Sequence, residues 1–486
     1  MIKSKKLTIN IHCKTIALFT ILYLSICLNL KGQELVIYPS PSPSVESIKN
    51  NDFSVKVRKP GGTWHDLYGY NVKVDDVRGA YNHVENASMC SFDFSGKVEV
   101  AVTYNKGKIK NARVRPLSYD IKHKIIGNTL FFKLSKPRNL SVEVNGDIFH
   151  NLHLFADPIE TFVPDKNDTS LIYFGPGIHY LKKGKLYVPS NKTVFLAGGA
   201  VLMGQVFFDH VHNARLLGRG MIAPSVKMGV HIAYSKNITV EGIVCTQCAT
   251  GGSDSVTIRN VKAISYYGWG DGMNVFASNN VLFDGVFCRN SDDCTTVYGT
   301  RLGFIGGCDQ IKMQNSTLWA DVAHPILIGT HGNVDDPDTL QNIEYKNIDI
   351  LDQNEMQVDY QGCMSIDVGD KNFVRNVRFE NIRVEDFRRG QLVNLRVFFN
   401  KKYNKAPGQG IENVLFKNIT YNGTHSELSV IAGYDSSRII KNITFENLRI
   451  NGAKITDDMP GKPAWYKTSD MARFFIGEHV EGVKFK

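Results

Sequence analysis

No long amphipathic helical pattern runs anywhere in the 486 residues, whereas glycine, at 42, is plentiful. Glycine serves tight turns and costs stability inside helices, so a helical bundle is excluded and a turn-rich all-β chain is favoured. Cysteine is sparse, with nine residues, too few for a chain of this size to depend on a disulfide framework. Cys245 and Cys248 form a CxxC, but no second CxxC and no histidine pair completes a zinc site, so the pair reads as structural. No basic stripe interleaved with aromatics accompanies the formal charge of +10, and no nucleic-acid partner is expected. The longest apolar run, 15–30, is broken by polar residues and falls short of the roughly 20 that span a membrane.

That run belongs to a targeting segment. Lys3, Lys5, Lys6 and Lys14 surround its start and "KGQE" follows it, the pattern of a secretory signal cleaved near Gly32. Residues 1–32 are read as a signal peptide, and the mature chain as secreted, periplasmic or extracellular, without a transmembrane segment. The alternative is a lipoprotein box, "LSIC", ending at Cys27, which Ile26 fits poorly. Loss of 1–32 removes five lysines and no acids, so the charge falls from +10 to +5. Nine cysteines become seven, an odd number that leaves at least one thiol unpaired. A polyanionic glycan remains compatible with the residual charge.

What is present is repetition of two kinds. Residues 33–165 hold short alternating strands such as "DFSVKVRK", "GKVEVAVTY" and "NLSVEVNG", split by Gly, Pro and Asn turns, which predicts an N-terminal β-sandwich domain. In 166–486 one unit recurs: "KNITVEGIVC", "NNVLFDGVFC", "RNVRFENIRV", "ENVLFKNITY", "KNITFENLRI". The interval varies from roughly 18 to roughly 37 residues, too uneven for the blades of a propeller and near solenoid lengths. No unit can bury its apolar face alone, so coil must stack on coil. Alternation points Ile, Val and Phe inward, while the repeated asparagines fall where the backbone turns and stacked amides can pair. The expectation is all-β: a right-handed parallel β-helix preceded by a small β-sandwich.

Asp271 follows one such unit and Asp292-Asp293 closes the next. Asp-Gly and Asp-Asp are common turn pairs on their own. At coil spacing, however, strands about 4.8 Å apart bring all three carboxylates to one groove. Such a cluster repels itself and keeps at least one member protonated, which sets a proton donor beside ionised bases, as glycoside cleavage requires.

The stretch "GDGMNVFASNNVLFDGVFCRNSDDCTTV" resembles the polygalacturonase pattern in which Asn-Thr-Asp-Gly is followed one coil later by Gly-Asp-Asp-Cys. "DVAHPILIGTHG" resembles that family's Gly-His-Gly segment, and the first domain, ending in "NLHLFADPIE", is similar to the sandwich preceding the β-helix in the related dextranase family. The resemblance implies an inverting glycoside hydrolase acting on a polysaccharide or oligosaccharide, with no metal and no cofactor. Asp292 would be the general acid, Asp271 and Asp293 would hold and deprotonate the water, and His324 would tune the acid or bind sugar hydroxyls. Trp269, Tyr298 and Arg301 are further candidate substrate contacts, Trp269 having a place in the core as its alternative. Asp321 is a candidate partner behind the site, and His331 reads as a solvated loop residue.

Two departures matter. Gly-Asp-Gly replaces Asn-Thr-Asp-Gly, removing a residue that would position Asp271. The family's Arg-Ile-Lys element, which grips a uronate carboxylate, should fall near "QGCMSIDVGD" (361–370), where Ser365 and Asp367 stand instead. A neutral or sulfated glycan, dextran-like or galactan-like, is therefore favoured over pectin. Arg388, Arg389 and Arg396, on a later coil, can restore positive charge. The competing functions are a polysaccharide lyase, for which the acids would form a calcium site, and a non-catalytic glycan-binding β-helix. Inserts at 298–308, 329–340 and 398–411 are expected to shape the groove.

Overall fold

The computed structural model describes residues 33–42, 46–78, 81–424 and 426–486. The expected signal segment, with Cys27, lies outside them. In Phe53–Arg58 the alternation acts as the sequence predicts: Phe53, Val55 and Val57 are buried while Ser54 and Lys56 face out. Strands of this kind form two sheets. One comprises Glu34–Val36, Tyr70–Arg78, Tyr81–Ser95, Ala112–Arg115, Arg138–Val144 and Asp147–Asp157. The other comprises Phe53–Arg58, His65–Leu67, Val98–Tyr104, His123–Ile126 and Thr129–Leu134. Their inner faces close on a core that includes Phe92, Val100, Leu130 and Leu152, giving a β-sandwich.

From Leu171–Phe174 to Val480–Phe485 the chain winds as a parallel β-helix, its strands pairing in parallel with those a coil further on, except Ala453–Ile455, which pairs antiparallel with Ile440–Ile450. Inward side chains form one continuous core. Within it Tyr345, Phe379, Phe416, Phe445 and Phe485 stack ring over ring, with centroids 5.7, 4.8, 4.7 and 4.9 Å apart. At the bends the repeated asparagines take left-handed backbone angles, φ 53° to 56° at Asn315, Asn347, Asn381, Asn418 and Asn447. Asparagine tolerates this conformation better than other side-chain-bearing residues. Their amides link successive coils: Asn347 donates to Asn315 at 2.8 Å, Asn418 to Asn381 at 2.9 Å and Asn447 to Asn418 at 2.8 Å. The only α-helix among the described residues is Thr468–Ala472, and none is long and apolar enough to cross a membrane.

The sandwich lies against the flank of the helix formed by such strands as Phe287–Asn290. Phe155, Tyr70 and Val74 meet Val201, Ile264 and Phe287 there. Ion pairs sealed in this seam fix the docking: Lys262 to both oxygens of Asp157 at 2.7 Å, Arg219 to Asp93 at 3.0 Å, and Arg115 to Glu385 at 2.7 Å. All seven cysteines of the described residues are free and buried. Burial pushes the Cys245 thiol up to about 12 and that of Cys248 well above its ordinary value, so neither is a ready nucleophile or ligand.

Candidate active site

The register that stacks the strands also stacks the turns before them. Met273 pairs with Thr295 and Thr296 with Leu327, so Asp271, Asp293 and His324 fall in one column on three consecutive coils. Backbone bonds carry the column through, Gly272 N–H to the Asp293 carbonyl and Cys294 N–H to the His324 carbonyl, both at 2.8 Å. The glycines around Asp271 follow from this closeness. A Cβ at Gly270 would lie 2.3 Å from Ser291 Oγ, and one at Gly272 would lie 2.5 Å from Asn290 Oδ1. Asp271 is held instead from downstream, by Asn274 Nδ2 donating to its Oδ2 at 2.6 Å.

The three carboxylates share the crowded mouth. Burial, then the charge of Asp293, pushes Asp271 up to about 7, against the hydrogen bond from Asn274. Asp292 is raised well above its ordinary value, by burial and by repulsion from Asp271 and Asp293. His324, fully buried, bonds one oxygen of Asp293 through its Nδ1 at 2.7 Å and its backbone N–H at 3.1 Å. Its Nε2 meets the Tyr360 carbonyl. Both ring nitrogens thus face acceptors, which calls for a proton on each. Burial alone would lower the His324 pKa, but Asp293 outweighs it and the group rises to about 9.

Several expectations are corrected by where the side chains go. His324 and Tyr298 are turned toward Asp293, not toward an open groove. The Tyr298 hydroxyl donates to Asp293 Oδ2 at 3.3 Å and its ring is buried against Phe276. His331 is buried, edge-on to Tyr298 with centroids 5.0 Å apart, and burial beside Arg301 lowers it to about 3. Asp321 bonds Arg289 at 2.8 Å and Arg388 at 3.2 Å in the sandwich seam. Arg388 is spent there, and Arg389 pairs with Glu427 at 3.3 Å, so neither restores charge to the groove. Trp269 is 77% exposed at a left-handed turn and has no place in the core. Arg301 is half-buried, within electrostatic reach of Asp271, and makes no side-chain hydrogen bond or ion pair among the described residues. Ser365 donates to Asp367 at 2.6 Å, and burial raises this carboxyl to about 7, so the place of the missing cations is filled by a buried acid. Arg396 pairs in register with Asp367 one coil on.

Other groups of the site went unnoticed in the sequence. Tyr403, from the 398–411 insert, stacks on Tyr360 with centroids 4.7 Å apart and donates to Gln357 at 2.7 Å. Beside it Lys402 also donates to Gln357, at 3.1 Å, and feels the charge of Asp292. Neither carries a spacing signal, because inserted loops obey no coil period. Asn274 was within reach, three residues after Asp271.

A protonated carboxyl beside ionisable partners in the groove of a parallel β-helix is the equipment of a glycoside hydrolase. Residues 207–464, more than half of the chain, match the profile "Glycosyl hydrolases family 28", and the chain belongs to that family. Over 227 residues it is 25% identical to "Probable endopolygalacturonase D" of Neosartorya fischeri, covering 46% of this chain and 43% of that relative. The chain therefore spans less than half the length of this curated relative. In fold it resembles "Dex49A from Penicillium minioluteum", with a TM-score of 0.60 and 14% identity over 93% of this chain and 99% of that one. A family 28 exopolygalacturonase of Yersinia enterocolitica overlaps 79% of this chain and 96% of its own, at 12% identity and a TM-score of 0.49.

Proposed function

We propose that this glycoside hydrolase cleaves an anionic polysaccharide with inversion at the anomeric carbon. Asp292 gives its proton to the glycosidic oxygen as the bond to the leaving sugar breaks. Water held by Asp271 and Asp293 attacks the anomeric carbon from the opposite face and gives its proton to one of these carboxylates. The observation that supports this reading is the column on consecutive coils: Asp293 is fixed by His324⁺, while burial and the neighbouring carboxylates raise Asp292 well above its ordinary value.

The substrate reading turns on Arg301. A half-buried guanidinium without an ion pair among the described residues, close to Asp271, suits a carboxylate or sulfate on the sugar beside the scissile bond. Lys402 adds positive charge near Asp292. The 361–370 stretch offers no cation, but these loop cations lie near the acids, so sulfated galactan or polyuronate is preferred to a neutral dextran. The partial match to an endopolygalacturonase favours the polyuronate. Export, with cleavage near Gly32, belongs to the same reading.

Reducing-sugar release should be assayed on polygalacturonate, rhamnogalacturonan, sulfated galactan and dextran with EDTA present, and the first-formed anomer followed by NMR. The expected result is cleavage of one anionic polymer with inversion, abolished in Asp292→Asn. Retention of configuration, or equal cleavage by the variant, would overturn the roles assigned here.

A further inference from the structure

The β-sandwich carries an open cleft of about 820 Å³ that takes no part in the catalytic column. This volume falls in the range of ligand sites, about 300–1,000 Å³. Four segments line it: Arg58 and Trp64, Glu99 and Val100, the stretch 119–124, and the stretch 131–136 with Arg138. Six Lys and Arg residues line the cleft against two carboxylates, Glu99 and Asp120. Both carboxylates are already engaged: Arg58 and Lys133 meet Glu99 at 2.8 and 3.1 Å, and Lys122 meets Asp120 at 2.5 Å. Lys124 and Lys136 are exposed and meet no carboxylate among the described residues.

The two arginines are built into planar platforms. The Arg58 guanidinium lies 4.3 Å over the Trp64 ring, and the Arg138 guanidinium 4.1 Å over Tyr119. The Arg138 guanidinium, stacked in this way, keeps its N–H edge open to a carboxylate or sulfate, whereas Arg58 gives Nε to Glu99; the aromatic planes suit the apolar face of a sugar ring. Stacked arginines, and lysines unpaired among the described residues, along an open trough with aromatic faces match a chain of charged sugars. Five of the six cations come from residues 122–138, and the fold adds Arg58 with Trp64.

We propose that this cleft binds a stretch of anionic glycan outside the catalytic groove. It rests on the preceding reading only in the choice of polymer. Since the sandwich is docked through buried ion pairs against the β-helix, a polymer held there stays at high effective concentration near the catalytic column. The expected benefit is confined to long chains, because a short oligosaccharide cannot occupy both places.

The test is affinity electrophoresis of the full chain, inactivated by Asp292→Asn, through gels containing polygalacturonate, sulfated galactan or neutral dextran, with duplex DNA as a second polyanion in solution. Lys124→Glu/Lys136→Glu is expected to weaken retention by an anionic glycan about tenfold, with dextran retaining neither form. Trp64→Ala, which leaves the lysines in place, should weaken the glycan but not DNA. In the otherwise active chain, Lys124→Glu/Lys136→Glu should leave kcat/KM on short oligosaccharides unchanged and lower it on polymer. Unchanged retention of the double variant would overturn the proposal, as would DNA binding as tight as glycan binding and equally indifferent to Trp64. Binding is read on an inactive chain, so failure to find a cleaved polymer bears on the catalytic reading alone.

Discussion

His324 binds a single oxygen of Asp293 twice, through Nδ1 at 2.7 Å and through its own backbone N–H at 3.1 Å. Side chain and main chain of one residue thus fix one carboxylate in place. Because the Nε2–H is spoken for by the Tyr360 carbonyl, the ring has no free edge for substrate.

This pair makes stability depend on pH. Burial lowers the His324 pKa and Asp293 raises it more, for a folded value of about 9 against an ordinary 6.5. A raised histidine contributes stability that is fully present below about 6.5 and lost as the pH climbs through about 9. The difference corresponds to about 3 kcal/mol. Urea denaturation of the full chain at pH 6 and at pH 9.5 should show this loss, and His324→Gln should flatten it.

Catalysis should follow the carboxylates. Asp271, raised to about 7, must ionise to accept a proton, so kcat/KM is expected to rise with pH through about 7. It should then fall at higher pH as Asp292, the general acid, whose carboxyl is raised well above its ordinary value, loses its proton. The two limbs belong to the coupled set. Asp292→Asn is expected to lower kcat by about 10³-fold and to abolish the upper limb, as steady-state kinetics over pH 4–10 would show.

Tyr298 separates positioning from substrate contact. Its hydroxyl donates to Asp293 at 3.3 Å, a bond worth about 1.5 kcal/mol or more when the acceptor is charged. Tyr298→Phe should therefore lower kcat about tenfold with KM unchanged. A rise in KM at constant kcat would place the hydroxyl on the sugar.

The seam between sandwich and helix should be strongly coupled. Lys262→Met leaves Asp157 buried without its partner and is expected to cost about 3–5 kcal/mol. Adding Asp157→Leu should recover most of that loss. Thermal unfolding of the two variants and the wild type checks both statements.

Much of the fold was legible because a β-helix repeats itself in sequence. Asn347, Asn381 and Asn418 each mark a left-handed bend, and alternation in stretches such as "KNITFENL" names the inward face. Asp271, Asp292 and Asp293 were legible because the coil period forces them together. The second layer was not. Nothing local tells that Tyr298 turns to Asp293 or that His331 is buried, since both depend on neighbouring coils and their inserts, nor that Asp321 and Arg388 meet at the sandwich, which depends on the flank another domain covers. Lys402 and Tyr403 arrive on an insert, which spacing arguments cannot place.

The column of Asp271, Asp293 and His324 has a consequence for insertions and deletions. The chain path from the first to the second is 22 residues and from the second to the third 31, yet each step is one strand pairing. Residues added inside a coil bulge outward and leave the acids where they are, whereas one whole extra turn spliced between Asp271 and Asp293 would part them by a full strand spacing. The site tolerates elastic loops and forbids a changed turn count, so kinship between such enzymes is measured in rungs rather than in residues.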